Sequence, residues 1–496
     1  MFCDLCQAGW TDKPGASACE VVDGGPCDPC IKITDLDIQI SNVEAILKRL
    51  TDARRILQTA RNHIHDPIVN HLPPELIGRI FYPSPRLILG AVCKTWRKIA
   101  WNTPELWTRL SISVDSNVKK NIVREREMSF EWLSRAGNLP LSLYMNRARW
   151  ESASPHYSEM ARSWVVFIQD LMNEFGNRCR ILDVELPVKI FFPVMSKARL
   201  SSQLKRLAIR INHCDSAPEV FSLSTDALEP EYVSLLSIEP HLVKISWNNV
   251  AKLALKGCEE NGCLDIFKYT PSLVSCRFER ILPDENRQPS PQFITHLRLR
   301  HLIIIKSSAD WILERSIFPE LEYLSTADAT ISTIQGFVSR SCCNLKTLEI
   351  TGQSCVMPVN SLFELLQTPY LQSLKWLNIK IEYGPANEQH IFNAFLEDPT
   401  FLPELKGVTY DCWSPGLRFA WVVPLMSSTK FRPLSTIKIR RPDDIYEDEN
   451  LRHFFEFRRC NPTITLEFLD LNPDLFQKQA KRLGLEYVES NLNVGD

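Results

Sequence analysis

Four cysteines near the N-terminus are the residues whose type and spacing most directly suggest chemistry. Cys3 and Cys6 form one C-x-x-C pair and Cys27 and Cys30 another, with twenty residues between the pairs. Zinc takes four thiolates tetrahedrally, and a C-x-x-C turn supplies two of them at once. Gly24-Gly25-Pro26 ahead of the second pair is suitable turn chemistry. The expectation is a structural zinc site that orders residues 1–30, a segment with no core of its own. The competing reading is a tail of free cysteines, since Cys19 is left over and no histidine accompanies the four.

Elsewhere the chemistry is sparse. The chain contains no G-x-x-x-x-G-K-[ST], no G-x-S-x-G and no H-E-x-x-H. His63 and His65 flank a helix end beside Asp66 and read as a solvated terminus. The run from Asp443-Asp444 to Glu447-Asp448-Glu449 reads as solvated surface, and Asp411-Cys412-Trp413 as a rim loop with no reactive partner. The expected protein is not an enzyme. Lys and Arg number 57 against 59 Asp and Glu, a net charge of -2, so the basic excess that nucleic acid binding calls for is missing. The start, MFCDLCQAGWTDK, has no basic region followed by an apolar core. Apolar runs in the repeat region, such as 302–305, are far short of the ~20 residues of a membrane span. The expectation is a cytoplasmic or nuclear chain without a membrane partner. Its sixteen cysteines are then thiols or metal ligands rather than disulfides.

These residues need elements to carry them, and the pattern separates four regions. After 1–30 comes a helix over 31–66. Ile33, Leu36, Ile40, Val43, Leu47 and Leu50 recur at spacings of three and four, the stripe of a coiled-coil helix. Asp66-Pro67 ends it, because a residue before proline avoids the helical region. Residues 67–112 are a compact, Trp-rich block. Leu72-Pro73-Pro74-Glu75 is a helix start, and Leu76, Ile77, Ile80 and Phe81 then give one apolar face. Val92, Trp96, Ile99 and Ala100 give a second. Two helices this short need a surface to pack on, either an external partner or the first repeat of the C-terminal region.

From 113 to 496 apolar residues recur at x, x+3 and x+5. The triplets are Cys179, Leu182, Val184; Leu204, Leu207, Ile209; Val250, Leu253, Leu255; Leu273, Cys276, Phe278; and Ile294, Leu297, Leu299. Leu321 with Leu324 comes next, then Leu345, Leu348, Ile350; Leu374, Leu377, Ile379; Leu405, Val408, Tyr410; and Leu434, Ile437, Ile439. The last two positions of each share one strand face. Most starts lie 21–31 residues apart, with helical stretches at 309–317, 331–340, 361–366 and 387–396 between them. One strand and one helix or turn per ~20–29 residues is the pattern of a leucine-rich repeat. The alternative is an ordinary α/β domain with coincidental spacing. The expected fold is α/β: a leucine-rich-repeat-like solenoid preceded by a small all-α module and an N-terminal helix. Its parallel sheet would offer a concave surface suited to macromolecules.

The block at 68–112 resembles the F-box family, in particular fungal F-box proteins with leucine-rich repeats. The resemblance rests on Leu72-Pro73-Pro74-Glu75-Leu76, Ile80-Phe81, Val92-Cys93-Lys94-Thr95-Trp96-Arg97, Ile99-Ala100 and Thr103-Pro104-Glu105-Leu106-Trp107. The stretch Glu131-Trp132-Leu133-Ser134-Arg135-Ala136-Gly137 with Leu139-Pro140-Leu141 resembles the family's first helix-to-strand transition. Ser246-Trp247 before Leu253 resembles one of its repeats. The resemblance implies a Skp-family adaptor of a cullin–RING ubiquitin ligase as partner. Leu72, Pro73, Ile80, Val92, Cys93 and Trp96 fall on the motif's contact positions. It further implies a target protein held by the repeats. The chain departs from the family in one place: Phe81-Tyr82-Pro83-Ser84-Pro85-Arg86 leads quickly to Leu87, where the family has a longer segment. That departure keeps open a second reading, an interaction scaffold with a degenerate F-box.

Overall fold

The structure, a computed structural model, describes residues 28–64, 72, 73, 76, 90–115, 122–147, 157–200, 202–211, 228–283, 293–352, 361–381, 388–412, 418–440, 442–470 and 472–485. The chain divides into two compact units, Met1–Trp107 and Thr108–Asp496.

In the first unit, helix α1 runs Asp28–Ile64, 37 residues without a break, about 55 Å at 1.5 Å per residue. It begins slightly earlier than the spacing predicts and ends before Asp66-Pro67. Asp28 in the first turn and Pro29 beside it both suit a helix start. Helix α2 runs Lys94–Trp101 and is followed by a 3-10 turn at Pro104–Trp107.

The second unit is α/β. Its strands are β1 (Arg109–Val114), β2 (Leu141–Arg147), β3 (Cys179–Glu185), β4 (Arg206–Arg210), β5 (Tyr232–Leu236), β6 (Lys252–Lys256), β7 (Ser275–Glu279), β8 (Ile294–Thr295), β9 (His301–Ile305), β10 (Ser316–Ile317), β11 (Tyr323–Ala327), β12 (Thr347–Gly352), β13 (Trp376–Ile381), β14 (Gly407–Cys412), β15 (Thr436–Arg440) and β16 (Thr465–Leu469). Fourteen of them form one sheet whose spatial order is the sequence order; β8 and β10 pair separately. Neighbouring strands of the large sheet run parallel, from β1–β2 at one end to β15–β16 at the other. β1 already belongs to this sheet, so it starts before the 112/113 boundary read from the sequence.

Register explains why the sheet holds. Two rows of side chains, apolar except at Thr326 of β11, cross the strands of the large sheet in step. In one row Leu253 faces Cys276, then Leu302, Leu324, Leu348, Leu377, Val408 and Ile437. These are buried, and side chains alternate with period two, so the core lies on one face of the sheet. The helices pack on that face: Phe267 of helix Glu260–Tyr269 meets Phe278 edge-on at 6.2 Å, and Phe392 of helix Glu388–Glu397 meets Tyr410 at 5.2 Å. No single repeat could bury its own apolar row; the neighbours do it.

Most of the expected triplets occupy these rows. One does not. Ile294 sits in the two-residue β8 and Leu297 is 67% exposed; the buried set there is Leu299, Leu302 and Ile304. The pattern places the strand too early because Ile294-Leu297-Leu299 mimics the spacing five residues upstream. Besides β9, four strands of the large sheet carry no expected triplet. In β1, β2 and β5 the x position is Trp107, Pro140 or Pro230 rather than an aliphatic residue, and in β16 it is Thr463. Asp411 and Cys412, read as loop, belong to β14.

Candidate functional site

The docking block is built around α2. Cys93 takes an extended backbone (φ -155, ψ 172) and caps the helix, its sulfur accepting the Trp96 N–H at 3.4 Å. This places Val92, exposed, beside Cys93 and Trp96, both half-buried, at one helix start. Arg97 holds the turn before the helix: its Nε donates to the Gly90 carbonyl at 2.6 Å, and its guanidinium lies 5.6 Å from the Trp101 ring centroid. At the other end the Trp107 indole N–H donates to the Ala100 carbonyl at 2.8 Å, with the Trp101 and Trp107 rings 6.3 Å apart. Thr103 returns its hydroxyl to the Ile99 carbonyl at 2.8 Å. These bonds satisfy carbonyls that a helix end leaves free.

Leu72 and Pro73 form a separate turn, in which the Leu76 N–H donates to the Pro73 carbonyl at 3.0 Å. Leu72 is half-buried, and Pro73 and Leu76 are exposed. Ile80 lies outside the described residues. The structure therefore gathers three of the six expected contact residues on one turn and puts two on another. The positioning roles of Arg97, Trp101 and Trp107 escaped the sequence reading. The signal available was the density of tryptophan at 96, 101 and 107. Among its described residues the block offers apolar side chains and no charged pair aimed at a ligand, so docking on them is driven by burial of apolar surface.

Of the four expected zinc ligands, Cys3, Cys6 and Cys27 lie outside the described residues. Cys30 is the third residue of α1 and half-buried. Among the described residues no group of three His, Cys, Asp or Glu could hold a metal ion. Cys179, Cys258, Cys263, Cys276 and Cys343 are free thiols buried in the second unit. Burial pushes the Cys179 and Cys343 thiols up to about 12. They stay protonated at neutral pH and are poor nucleophiles.

The face of the sheet away from the helices is polar and of mixed charge. Most of its ion pairs run across strands, although Arg277 and Glu279 also pair along β7. Glu279 of β7 takes Lys256 at 2.9 Å and Lys306 at 3.2 Å. Arg440 of β15 joins Asp411 at 2.7 Å and Asp470 at 2.6 Å. Arg210 of β4 spans Asp183 and Glu185 of β3. Aromatic rings lie among these ions. Arg109 sits 4.5 Å from the Tyr144 ring centroid and Arg206 4.5 Å from that of Tyr232. The Tyr323 hydroxyl donates to Glu349 at 2.9 Å, and burial together with that bond pushes its pKa up to about 12. Trp376 is 40% exposed and lies over Gly407 of the next strand, where a Cβ would come within 2.2 Å of the ring. Aromatic and Arg side chains in a rim of other polar groups are the usual composition of a protein-binding surface.

Among the described residues no helix is long and apolar enough to cross a membrane. No curated protein matches the chain. The Trp-rich block around α2 does match a known family. Residues 69–113 fit the F-box-like family, so the chain carries an F-box-like domain, a protein-interaction module, ahead of its long parallel sheet.

Proposed function

We propose that the chain is the substrate-recognition subunit of a cullin–RING (SCF-type) ubiquitin ligase, not itself an enzyme. The F-box docks on the Skp-family adaptor, and the second unit, a leucine-rich-repeat-like solenoid of the fungal F-box type, holds a target protein. The observation that carries this reading is the F-box-like match at 69–113 immediately followed by a sheet of fourteen strands in sequence order. A sheet that adds one strand per repeat, with its described helices on one face, has its other face to offer to a partner. The mixed charges and aromatic side chains there suit a folded protein better than a nucleic acid, in keeping with the net charge of -2.

The test is adaptor recovery from Leu72→Ala and Pro73→Ala beside the wild type. Truncating a large apolar anchor at an interface costs ~2–4 kcal/mol. Binding should therefore fall by roughly tenfold or more, with the melting temperature of the second unit unchanged. The short segment from Phe81 to Leu87 favours a second reading, a scaffold that keeps the fold without adaptor binding. Wild-type chain that recovers no adaptor supports it.

A further inference from the structure

We propose that α1 pairs with the α1 of a second copy of this chain, antiparallel, as a two-stranded coiled coil. The apolar stripe on this helix continues past Leu50. Ile33, Leu36, Ile40, Val43, Leu47, Leu50, Leu57 and Ile64 fall on the a and d positions of one heptad frame, and Arg54 and Arg61 fill the two remaining a positions. Spacings of three and four sustained over this length define a left-handed coiled-coil seam. Among the described residues the apolar side chains from Ile33 to Leu57 on this seam are 38–70% exposed. A helix this long with an uncovered seam needs a partner to be stable in water.

Charge identifies the partner as a second α1 and fixes its direction. The first half of the helix carries Asp28, Asp35, Asp37 and Glu44 against Lys32, whereas the second half carries Lys48, Arg49, Arg54, Arg55 and Arg61 against Asp52. Acid at the start and base at the end also complement the helix dipole, but that effect is confined to the first and last turns. Glu44, Lys48 and Arg49 lie in the middle. Two such helices laid antiparallel bring each acidic half against a basic half. Centred between residues 48 and 49, Leu47 faces Leu50 of the second copy and Ile40 faces Leu57. Arg54 then faces Val43, beside Glu44, and Arg61 faces Leu36, between Asp35 and Asp37. Laid parallel, Arg54 would meet Arg54 and Arg61 would meet Arg61. Like charges face each other throughout that arrangement, and it is disfavoured.

The experiment is sedimentation equilibrium of the full chain at about 50 µM in low salt, with three variants. The wild type is expected to be a dimer that weakens as salt rises. Leu47→Asp with Leu50→Asp should be monomeric with an unchanged melting temperature, since these side chains belong to no described core. Asp35→Lys, Asp37→Lys and Glu44→Lys together make the helix basic throughout and should weaken the dimer by about tenfold or more. Adding Arg54→Glu, Arg55→Glu and Arg61→Glu to that variant should restore it. A monomeric wild type, or a dimer indifferent to the two aspartates, overturns the pairing. A dimer that dissociates with the aspartates but ignores the charge reversal overturns the antiparallel direction.

Discussion

At the scale of single residues, Arg432 shows how the second unit is fastened between repeats. It is 4% exposed. Its Nε donates to the Phe401 carbonyl at 2.9 Å, its Nη2 to the Asp398 and Phe401 carbonyls at 2.7 Å each, and its Nη1 to the Phe395 carbonyl. One guanidinium thus closes the end of helix Glu388–Glu397 and the turn after it. Arg432→Met should cost about 3 kcal/mol or more in urea unfolding, because buried carbonyls lose their donors. Arg432→Lys should not restore it, since three donors at one point cannot span the same carbonyls. A loss below about 1 kcal/mol would show that water replaces the guanidinium. The same scale shows where the sequence was silent. Ser237, Gly257, Arg280, Lys306, Asp328 and Asp470 each follow a strand end directly and take a left-handed φ of 50–66°. Only one is glycine, the residue that normally signals this conformation. At three of the others the strand ladder continues through the residue: the Ser237 N–H donates to Lys256, the Arg280 N–H to Ile305 and the Asp328 N–H to Thr351. The N-terminal cysteines remain legible as spacing alone. If Cys3, Cys6, Cys27 and Cys30 hold zinc, metal analysis should return about one zinc per chain, lowered by Cys27→Ser. Metal-free full-length protein, with unchanged folding after removal of residues 1–30, supports the tail of free cysteines.

At the scale of elements, the strand repeat was legible because its two core positions are almost invariably aliphatic or aromatic. The helices at 331, 361 and 388 begin within a residue of where the pattern puts them. The misplaced strand gives a clean check. Leu299 is fully buried and Leu297 is 67% exposed, although they are two residues apart. Leu299→Ala should cost ~2–5 kcal/mol, whereas Leu297→Ala should change stability by no more than about 0.5 kcal/mol. Equal losses would put Leu297 back in the core. Strands β1 and β5 stayed hidden because the position entering the strand accepts Trp or Pro as readily as Leu; β2 was reached only through the helix-to-strand resemblance at 131–141. The acidic run at 443–449 was read as solvated surface. Asp443, Glu447, Asp448 and Glu449 are exposed, with Asp448 and Glu449 in the first turn of helix Asp448–Cys460. Asp444 departs from that reading, being half-buried and accepting the Phe419 N–H at 2.7 Å. The placement of Asp444, Asp448 and Glu449 follows from the orphan N–H groups and positive end of a helix.

At the scale of the whole molecule, the ion pairs across the sheet couple stability to pH. Burial alone would raise the pKa of Glu279, but hydrogen bonds from Lys256 and Lys306 outweigh it and hold the carboxyl below its ordinary value. Lys346 holds Glu322 down, Lys205 holds Glu231 down, and the Thr400 hydroxyl and N–H hold Asp398 down. A carboxyl whose folded pKa is depressed contributes stability that is present in full above its unfolded value, about 4.3 for Glu. That contribution is lost as pH falls through the lower folded value. Glu239, raised by burial, acts in the opposite sense. The melting temperature should therefore fall once pH drops below about 4.5. A rise over that interval would mean that Glu239 and groups like it dominate.

The proposed division of labour is also a whole-molecule matter, since the F-box-like domain precedes a long parallel sheet along the chain. Its most direct test is to mix the full chain with a purified Skp-family adaptor at about 10 µM each and track them through size exclusion with light scattering. An apolar interface of this kind should hold at that concentration. The expected result is co-elution with one adaptor per chain, abolished by Leu72→Ala combined with Pro73→Ala while the variant chain remains folded. Separate elution of the wild-type chain and the adaptor would contradict the account.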